Sequence, residues 1–196
     1  EMCIRDRVKG ASKGEGLGNK FLANIRNTNA IIHVLRCFEN DNITHVDGSI
    51  DPVRDKGIID TELQLKDLET IENRLAKTQK QAVVGGDKQA KRAVEILLQY
   101  KAVLEQGLSA RTVELEKEDR KLVADLNLLT DKPVLYVCNV DEKSAVTGNE
   151  HTRAVEAAIA DERAEMLIVA AATEADIAEL DEYEERQMFL EEIGLK

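Results

Sequence analysis

Between Lys132 and Glu142 the chain reads KPVLYVCNVDE. Five consecutive residues that favour a β-strand, 134–138, follow the proline and lead into a polar turn. An apolar run without alternation is typical of a strand buried on both faces, as in a parallel sheet covered by helices. Because ligands of such sheets bind at the carboxyl ends of the strands, Asn139 and Glu142 are candidate binding residues.

The same turn also has a plainer interpretation. Asn139 and Asp141 are residue types that commonly cap helices or close turns. An amide presents a donor and an acceptor together, which suits the edge of a purine base. On this stretch alone the capping turn is the default interpretation, because short loop motifs recur by chance.

The composition limits the classes of protein to consider. The chain has 196 residues, of which 43% are hydrophobic and 3% aromatic, and its net charge is -11. The aliphatic residues suffice for one large domain or for a domain with an insertion. The acidic balance argues against a broad basic surface for nucleic acid, so we expect no sequence-specific DNA binding.

Cysteine usage and hydropathy indicate a cytoplasmic protein. Cys3, Cys37 and Cys138 form no disulfide framework, and two of them lie in apolar runs, which favours buried thiols in a reducing compartment. No apolar run approaches the roughly 20 residues of a membrane span, and no signal peptide is visible. We therefore expect no membrane partner.

The order of the predicted elements indicates the fold class. Apolar runs predict two further strands at 30–38 and 166–170. Asp51-Pro52 predicts a helix start with Asp51 as its cap, and the run to about Ala82 is helical despite Gly57. Shorter helices are predicted at 116–129, 151–165 and 177–193. Strands and helices in this order predict an α/β fold with a doubly wound, mostly parallel sheet.

Residues 51–115 are interpreted as a helical insertion in that domain. Apolar residues at helical or heptad spacing mark both of its helices: Leu65, Leu68, Ile71, Leu75, then Val94, Leu97, Leu104, Leu108. Gly85-Gly86 separates the helices, and Asp87 is the predicted cap of the second. The pattern predicts an antiparallel helical coiled coil. Its charged faces are solvated by default, and a docking surface is the second interpretation.

A glycine-rich loop precedes the first predicted helix. Gly10, Gly14, Gly16 and Gly18 fit neither G-x-x-x-x-G-K-[ST] nor G-x-G-x-x-G, so this loop is not a phosphate loop. A mobile loop beside a nucleotide and a flexible connector are both open. The residues alone identify no catalytic group and no metal ligand. Phe38, at the end of a predicted strand, either stacks on a base or covers the core, and the core is its default.

Four stretches, taken together, resemble the Obg-like ATPase family, also called YchF, a branch of the translation-associated P-loop GTPases. They are VKGASKGEGLGNKFL (8–22), CFENDNITHVDGSIDPVRD (37–55), KPVLYVCNVDE (132–142) and AATEADIAELDEYEERQMFLEEIGL (171–195). Several blocks in the right order are more specific than any single motif. The resemblance implies a nucleotide-binding G domain interrupted by a helical coiled coil. It also implies ATP or GTP hydrolysis with Mg²⁺, and the ribosome as a partner.

The resemblance also implies a base pocket. The N-K-x-D loop of ordinary GTPases is N-x-x-E in this family and stands here at 139–142. Loss of that Asp removes the guanine-specific acceptor, so adenine is tolerated or preferred. By resemblance the pocket is formed by Phe38, Asn139, Val140, Glu142, Ala171 and Ala172. The glycines Gly10, Gly14, Gly16 and Gly18 correspond to the mobile switch segment.

The chain departs from the family pattern at its start. The phosphate loop and the D-x-A-G-L motif are missing, so we interpret 1–7 as a non-native junction and the chain as an internal fragment without the TGS domain. The predicted G domain comprises 8–50 and 116–196, around the insertion at 51–115. We expect the parent protein to hydrolyse ATP or GTP.

We expect this chain alone to bind ATP weakly and to be inactive, because phosphoryl transfer depends on groups that hold the phosphates. Exposed apolar edges and poor solubility are expected as well. The alternative function is a non-enzymatic coiled-coil interaction module.

Overall fold

A computed structural model describes residues 16–40, 43, 49–84, 87–192 and 194. Its helices are α1 (Gly16–Arg26), α2 (Pro52–Val84), α3 (Lys88–Glu105), α4 (Lys117–Val123), α5 (Glu150–Ile159), α6 (Ala171–Glu179) and α7 (Tyr183–Glu192). Its strands are β1 (Ile31–Arg36), β2 (Val134–Asn139) and β3 (Glu165–Val169). All three predicted strands are present, with ends that differ from the prediction by at most two residues.

The strands form one sheet in the order β1-β2-β3. β2 and β3 are parallel, with Tyr136 beside Met166. At the two ends of β1, Ile31 N–H donates to the carbonyl of Pro133 and Cys37 N–H donates to that of Asn139. Both partners advance by six residues between these bonds, so β1 is also parallel to β2. The predicted α/β fold with a parallel sheet is confirmed.

The two faces of the sheet differ in burial. On one face Leu35, Tyr136 and Cys138 pack with Val155 and Ile159 of α5. On the other face the residues of β2 are half-buried, while the flanking strands expose apolar side chains. The exposed fractions are 67% for Ile32, 58% for Val34 and 50% for Leu167. The expected burial on both faces thus applies only to the central strand, whose second face is half-buried. The burial expected for β1 is wrong on this face, where apolar side chains of β1 and β3 are exposed.

The chain divides into two compact units. The first, here called the helical unit, comprises Gly57–Pro133 with the described residues up to Ile31. The second, the sheet unit, comprises the described residues of Ile32–Lys56 and those from Val134 onward. Both units are discontinuous in sequence, because the chain passes from one unit to the other three times.

Within the helical unit α2 and α3 run antiparallel. Lys101 Nζ donates to Glu72 at 2.8 Å, and Gln64 Nε2 donates to the Gly107 carbonyl at 2.9 Å. Residue numbers fall on α2 as they rise on α3 between these contacts. Between the helices the most buried side chains form one apolar cluster, which includes Ile71, Leu75, Ile96, Leu97, Tyr100 and Leu104.

Both predicted caps of these helices are confirmed. Asp51 Oδ1 accepts from the N–H of Arg54 at 2.9 Å, and Asp87 Oδ1 accepts from the N–H of Gln89 at 2.8 Å. The prediction that Leu65 and Leu108 face inward is wrong, since Leu65 is 49% exposed and Leu108 is 45% exposed. Leu108 lies beyond the end of α3, where the helical spacing no longer applies. None of the described helices is both long and apolar enough to cross a membrane.

The predicted helix at 116–129 ends early. α4 stops at Val123, one 3₁₀ turn follows, and Asn127 then adopts a left-handed conformation with φ 46°. Beyond it the carboxylate of Asp67, in α2, accepts hydrogen bonds from the backbone N–H groups of Leu129 and Thr130 at 2.9 and 2.7 Å. Those N–H groups are therefore bound to a side chain rather than to the preceding turn of a helix. Burial raises the pKa of Asp67 despite these bonds.

Two further helix predictions are corrected. The helix predicted at 151–165 ends at Ile159, and Arg163 lies at φ 52° before β3. The helix predicted at 177–193 begins earlier, at Ala171, and is interrupted after Glu179. At the break Leu180 is extended, and its carbonyl accepts from Arg186 Nε at 2.6 Å rather than from a backbone N–H.

Candidate functional site

The carboxyl ends of all three strands lie at one edge of the sheet unit, and Asn139 stands at the centre of that edge. It is the last residue of β2, and its Oδ1 accepts from the N–H of Ala171 at 3.0 Å. Because that partner is a donor, the amide must face it with its oxygen. Among the described residues nothing accepts a hydrogen bond from Asn139 Nδ2. Asn139 therefore presents the N–H groups of its amide, as donors only, to a ligand at this edge.

Phe38 follows β1 at the same edge and is half-buried. The guanidinium of Arg36 lies 4.9 Å from the centroid of the Phe38 ring, within cation–π range. Arg36 also donates to the carbonyls of Phe38 and Ile43 at 3.1 and 3.0 Å. One side chain therefore holds both the ring and the backbone that follows the strand.

Asn149 ties the loop after β2 to the end of β1. Its Nδ2 donates to the Cys37 carbonyl at 2.7 Å, while its Oδ1 accepts from the N–H of Thr152 and caps α5. The Thr152 hydroxyl in turn accepts from the Asn149 N–H at 2.8 Å, which completes a capping box. The residue before it, Gly148, has φ 66°, a conformation that favours glycine.

The rest of the loop after β2 divides into an inward and an outward part. Val140 is 3% exposed, and its N–H donates to the Val169 carbonyl at 2.9 Å. Its side chain packs in the core of the sheet unit with Leu35 and Val155. Glu142 is exposed at the start of a short 3₁₀ turn, and Asp141 caps that turn by accepting from Ser144 N–H. Capping and base binding are thus compatible here, because different residues of the loop would perform them.

The loop after β3 brings small residues to the edge. Ala170 is 3% exposed and packs in the core, whereas Ala171 and Ala172 are exposed in the first turn of α6. The methyl side chains leave the backbone of this turn accessible. The structure therefore brings Asn139 and Ala171 into direct contact and places Phe38 and Ala172 at the same edge of the sheet.

Several polar side chains are buried beneath this edge. Cys37, directly after β1, and Cys138, in β2, are fully buried free thiols. The hydrogen bond to Cys138 together with burial raises the pKa of Cys37. The Lys56 ammonium forms an ion pair with Glu162, whose second oxygen accepts from the Tyr136 hydroxyl at 2.9 Å. These buried polar groups have partners, so they stabilise the sheet unit rather than present groups to a ligand.

The glycines of the predicted switch segment divide between the described and undescribed parts of the chain. Gly16 and Gly18 lie in α1, so the helix begins two residues before the end of the predicted loop. Gly10 and Gly14 lie outside the described residues. Within the described ranges no three His, Cys, Asp or Glu side chains are grouped so as to hold a metal ion.

Two residues that shape the site, Asn149 and Arg36, were not predicted from the sequence. Asn149 had a local signal, because Asn is among the residues preferred at the N-cap of a helix. Its bond to Cys37 joins residues 112 positions apart, and no local pattern reports such a contact. Arg36 was part of an apolar strand pattern, and its contacts depend on the bend after the strand.

Comparisons with known proteins find relatives of this chain both by sequence and by structure. No family model matches the chain. The chain is 51% identical over 191 residues to the ribosome-binding ATPase YchF of Bacillus subtilis (strain 168), and the match covers 96% of this chain and 52% of that protein. It is 48% identical over 193 residues to the ribosome-binding ATPase YchF of Escherichia coli O157:H7, with 98% and 52% covered.

A solved structure is similar over the same extent. The Schizosaccharomyces pombe YchF GTPase matches with a TM-score of 0.81 and 29% identity, covering 97% of this chain and 53% of that one. The chain thus spans about half the length of the curated relatives it matches.

Proposed function

This chain belongs to the YchF family of Obg-like ATPases, and we propose that its sheet unit supplies the base-binding part of an ATP or GTP site. The pocket residues are Phe38, Asn139, Val140, Glu142, Ala171 and Ala172. We propose that the whole protein from which this chain comes hydrolyses ATP or GTP and acts at the ribosome. We place that activity in the cytoplasm.

One observation carries the proposal: the side chain of Asn139 is oriented by Ala171 and keeps its Nδ2 available. The Ala171 N–H occupies the amide oxygen at 3.0 Å, which fixes the amide plane. A donor held in one direction recognises an acceptor on a purine edge at little entropic cost. Phe38, half-buried beside Arg36, supplies an aromatic surface of the kind on which a base stacks.

The finer fold of the family is part of the same proposal. We propose a doubly wound G domain, formed by 8–50 and 116–196, with 51–115 as an inserted antiparallel coiled coil. The antiparallel contacts of α2 and α3 support that insertion. ATP would arrive with Mg²⁺. No grouping of metal ligands occurs among the described residues, so we assign the ion no ligand in this chain.

The test is a titration of the ¹⁵N-labelled chain with adenosine and with guanosine, followed by amide chemical shifts. Nucleosides isolate base recognition from phosphate binding. We expect weak binding with shifts at Phe38, Asn139 and Ala171, in line with the few groups that contact the base. Absence of shifts at these residues with either nucleoside contradicts the proposal. Micromolar affinity for ATP in a calorimetric titration contradicts the expectation that this chain binds nucleotide weakly.

Asn139→Asp is the informative variant. The carboxylate still accepts from Ala171 N–H but replaces the outward donor with an acceptor, so binding should be lost while the loop keeps its geometry. Asn24→Asp is the matched control, since it makes the same chemical change on an exposed position of α1. If Asn139→Asp binds adenosine as well as the unchanged chain does, Asn139 is not the base-recognition residue.

The second candidate is the interaction module, in which the α2–α3 pair binds a partner and the strand edge has no ligand. It is favoured by one observation, the exposed charged surface of these two antiparallel helices, where Glu72 of α2 and Arg92 and Glu95 of α3 lie. The nucleoside titration separates the two candidates, because the interaction module predicts no shifts at Asn139.

A further inference from the structure

The helical unit contains a cleft that is separate from the proposed nucleotide site. Its volume is about 460 Å³, within the range of small-molecule sites. The α1–β1 turn, the end of α4 with the 3₁₀ turn after it, and residues 131–133 line it. Every lining residue belongs to the helical unit, whereas Asn139 and Ala171 belong to the sheet unit.

The cleft is positively charged in a chain that is strongly acidic. Its lining contains three cationic side chains, Arg26, Arg120 and Lys132, and one carboxylate, Asp131. The whole chain, in contrast, has a net charge of -11. Arg26 is bound in place, since it donates to Thr70 Oγ1 at 2.8 Å and lies near the buried carboxylate of Asp67. The charges available to a ligand are therefore those of Arg120 and Lys132.

Neither of these two cations is fully satisfied within the protein. Lys132 Nζ donates to the carbonyls of Arg26 and Thr28 at 3.1 and 2.6 Å, which leaves one of its three N–H protons to donate to a ligand. No carboxylate pairs with Lys132 among the described residues. Arg120 contacts the Asp131 oxygens at 3.4 and 3.3 Å, longer than the roughly 2.7–2.9 Å of a strong charge-assisted bond.

The remaining lining suits a polar molecule that carries an anionic group. Asn27, Asn29 and Asn127 are exposed and offer side-chain amides, which both donate and accept. Tyr100 is buried against the cleft, and burial with the nearby Asp131 raises the pKa of its phenol, which therefore stays protonated. A phosphate group accepts several hydrogen bonds at once and is the oxyanion that an Arg fork with a Lys binds most readily.

We propose that this cleft binds a phosphorylated small molecule, with Arg120 and Lys132 on its phosphate group and the asparagine amides on its polar remainder. The inference does not depend on the proposed nucleotide site. The phosphate group enters between Arg120 and Lys132 and displaces the weak contact between Arg120 and Asp131.

The experiment titrates the ¹⁵N-labelled chain with ribose 5-phosphate and, separately, with ribose. The probe contains no base, so its binding is independent of base recognition at Asn139. We expect shifts at Asn29, Ala124 and Asn127 with ribose 5-phosphate, none with ribose, and weaker binding as salt is added. Equal shifts with ribose, or shifts confined to residues outside the cleft, overturn the proposal.

Two variants on the same helical stretch complete the test. Arg120→Gln removes one charge at a position that is 46% exposed, and we expect roughly a tenfold loss of affinity, the usual effect of losing one hydrogen bond to a charged group. Lys121→Gln removes the same charge at the next residue, which is 70% exposed, pairs with Glu118 and does not line the cleft. The proposal fails if Arg120→Gln binds as tightly as the unchanged chain, or if Lys121→Gln loses as much.

Discussion

Asn149 Nδ2 donates a hydrogen bond of 2.7 Å to the carbonyl oxygen of Cys37, and this bond joins the start of α5 to the end of β1. The same side chain caps α5 through its oxygen. Phe38 follows Cys37 directly, so the amide of Asn149 helps to fix the position of the aromatic ring at the candidate site. We therefore expect Asn149 to act as a positioning residue for the proposed base pocket.

Replacement of Asn149 separates the cap from the bond to Cys37. Asn149→Ala should lower the free energy of unfolding by about 1–2 kcal/mol through the lost cap. It should lower it further because the Cys37 carbonyl loses its donor. Asn149→Ser retains an oxygen that caps α5 but lacks the amide N–H that donates to Cys37, so it should cost only about 1 kcal/mol. Urea unfolding measures both values, and adenosine titration should show weaker binding for both variants.

Asp87→Ala is the control for a cap without that link. Asp87 accepts from Gln89 N–H at the start of α3, in the helical unit. We expect a loss of about 1 kcal/mol with adenosine binding unchanged. If Asn149→Ser is as stable as the unchanged chain and binds adenosine equally, the bond to Cys37 has no positioning role.

A second prediction concerns Gly148, whose conformation and surroundings both exclude a side chain. A Cβ at this position would lie 2.4 Å from Thr152 Oγ1 and 3.0 Å from Ile168 Cδ1, at φ 66°. Gly148→Ala should therefore cost about 2–5 kcal/mol, the sum of left-handed strain and overpacking. Gly107→Ala should lower the free energy of unfolding by only about 1–2 kcal/mol, because Gly107 has φ 75° but no atom lies within 4 Å of its Cβ position. Equal losses for the two variants in thermal or urea unfolding would show that space around Gly148 is not limiting.

A third prediction is a pH dependence at the contact between α3 and α4. Arg92 donates to both oxygens of Asp119 at 3.1 and 2.6 Å, and these bonds lower the pKa of Asp119 below its ordinary 3.8. A carboxyl whose pKa is lowered by folding stabilises the protein above 3.8, and that stabilisation is lost as the pH falls through the folded value. Asp119→Asn should therefore be less stable than the unchanged chain at neutral pH, and the difference should vanish in strong acid.

Glu118→Gln is the matched control for that measurement. Glu118 is the preceding residue, its side chain is 83% exposed, and it pairs with Lys121 on the surface. Such a pair contributes little, so urea midpoints of this variant should follow those of the unchanged chain at every pH. A constant difference between Asp119→Asn and the unchanged chain down to strong acid would contradict the ionic origin of the effect.

The parts of the fold that the sequence predicted are those set by local rules. The runs at 134–138 and 166–170 are strands because their apolar residues suit a buried sheet, and Asp51 and Asp87 are caps because their side chains reach the next turn. The parallel order then places Asn139 at the carboxyl edge without any further information. This much of the candidate site follows from sequence.

The remainder depends on contacts between residues far apart in the chain. Asp67 accepts from Leu129 and Thr130, 62 and 63 positions away, and the helix predicted through 129 is thereby replaced by an irregular segment. At the break after Glu179, the side chain of Arg186 likewise donates a hydrogen bond to the carbonyl of Leu180. Helical periodicity reports which residues are apolar, but it carries no information about such side-chain acceptors and donors.

The exposed face of the sheet gives the last prediction. Val34 and Leu167 flank the half-buried Val137 on that face and are 58% and 50% exposed. Apolar side chains grouped in this way favour self-association, so we expect the chain to associate at high concentration in sedimentation experiments. Val34→Thr should reduce that association at little cost in stability, because threonine keeps the β-branched shape that suits a strand.

Val83→Thr is the control, since Val83 is 83% exposed on α2 in the helical unit and its replacement should leave association unchanged. Equal association of the Val34→Thr variant and the unchanged chain would show that this face is not the surface through which copies meet.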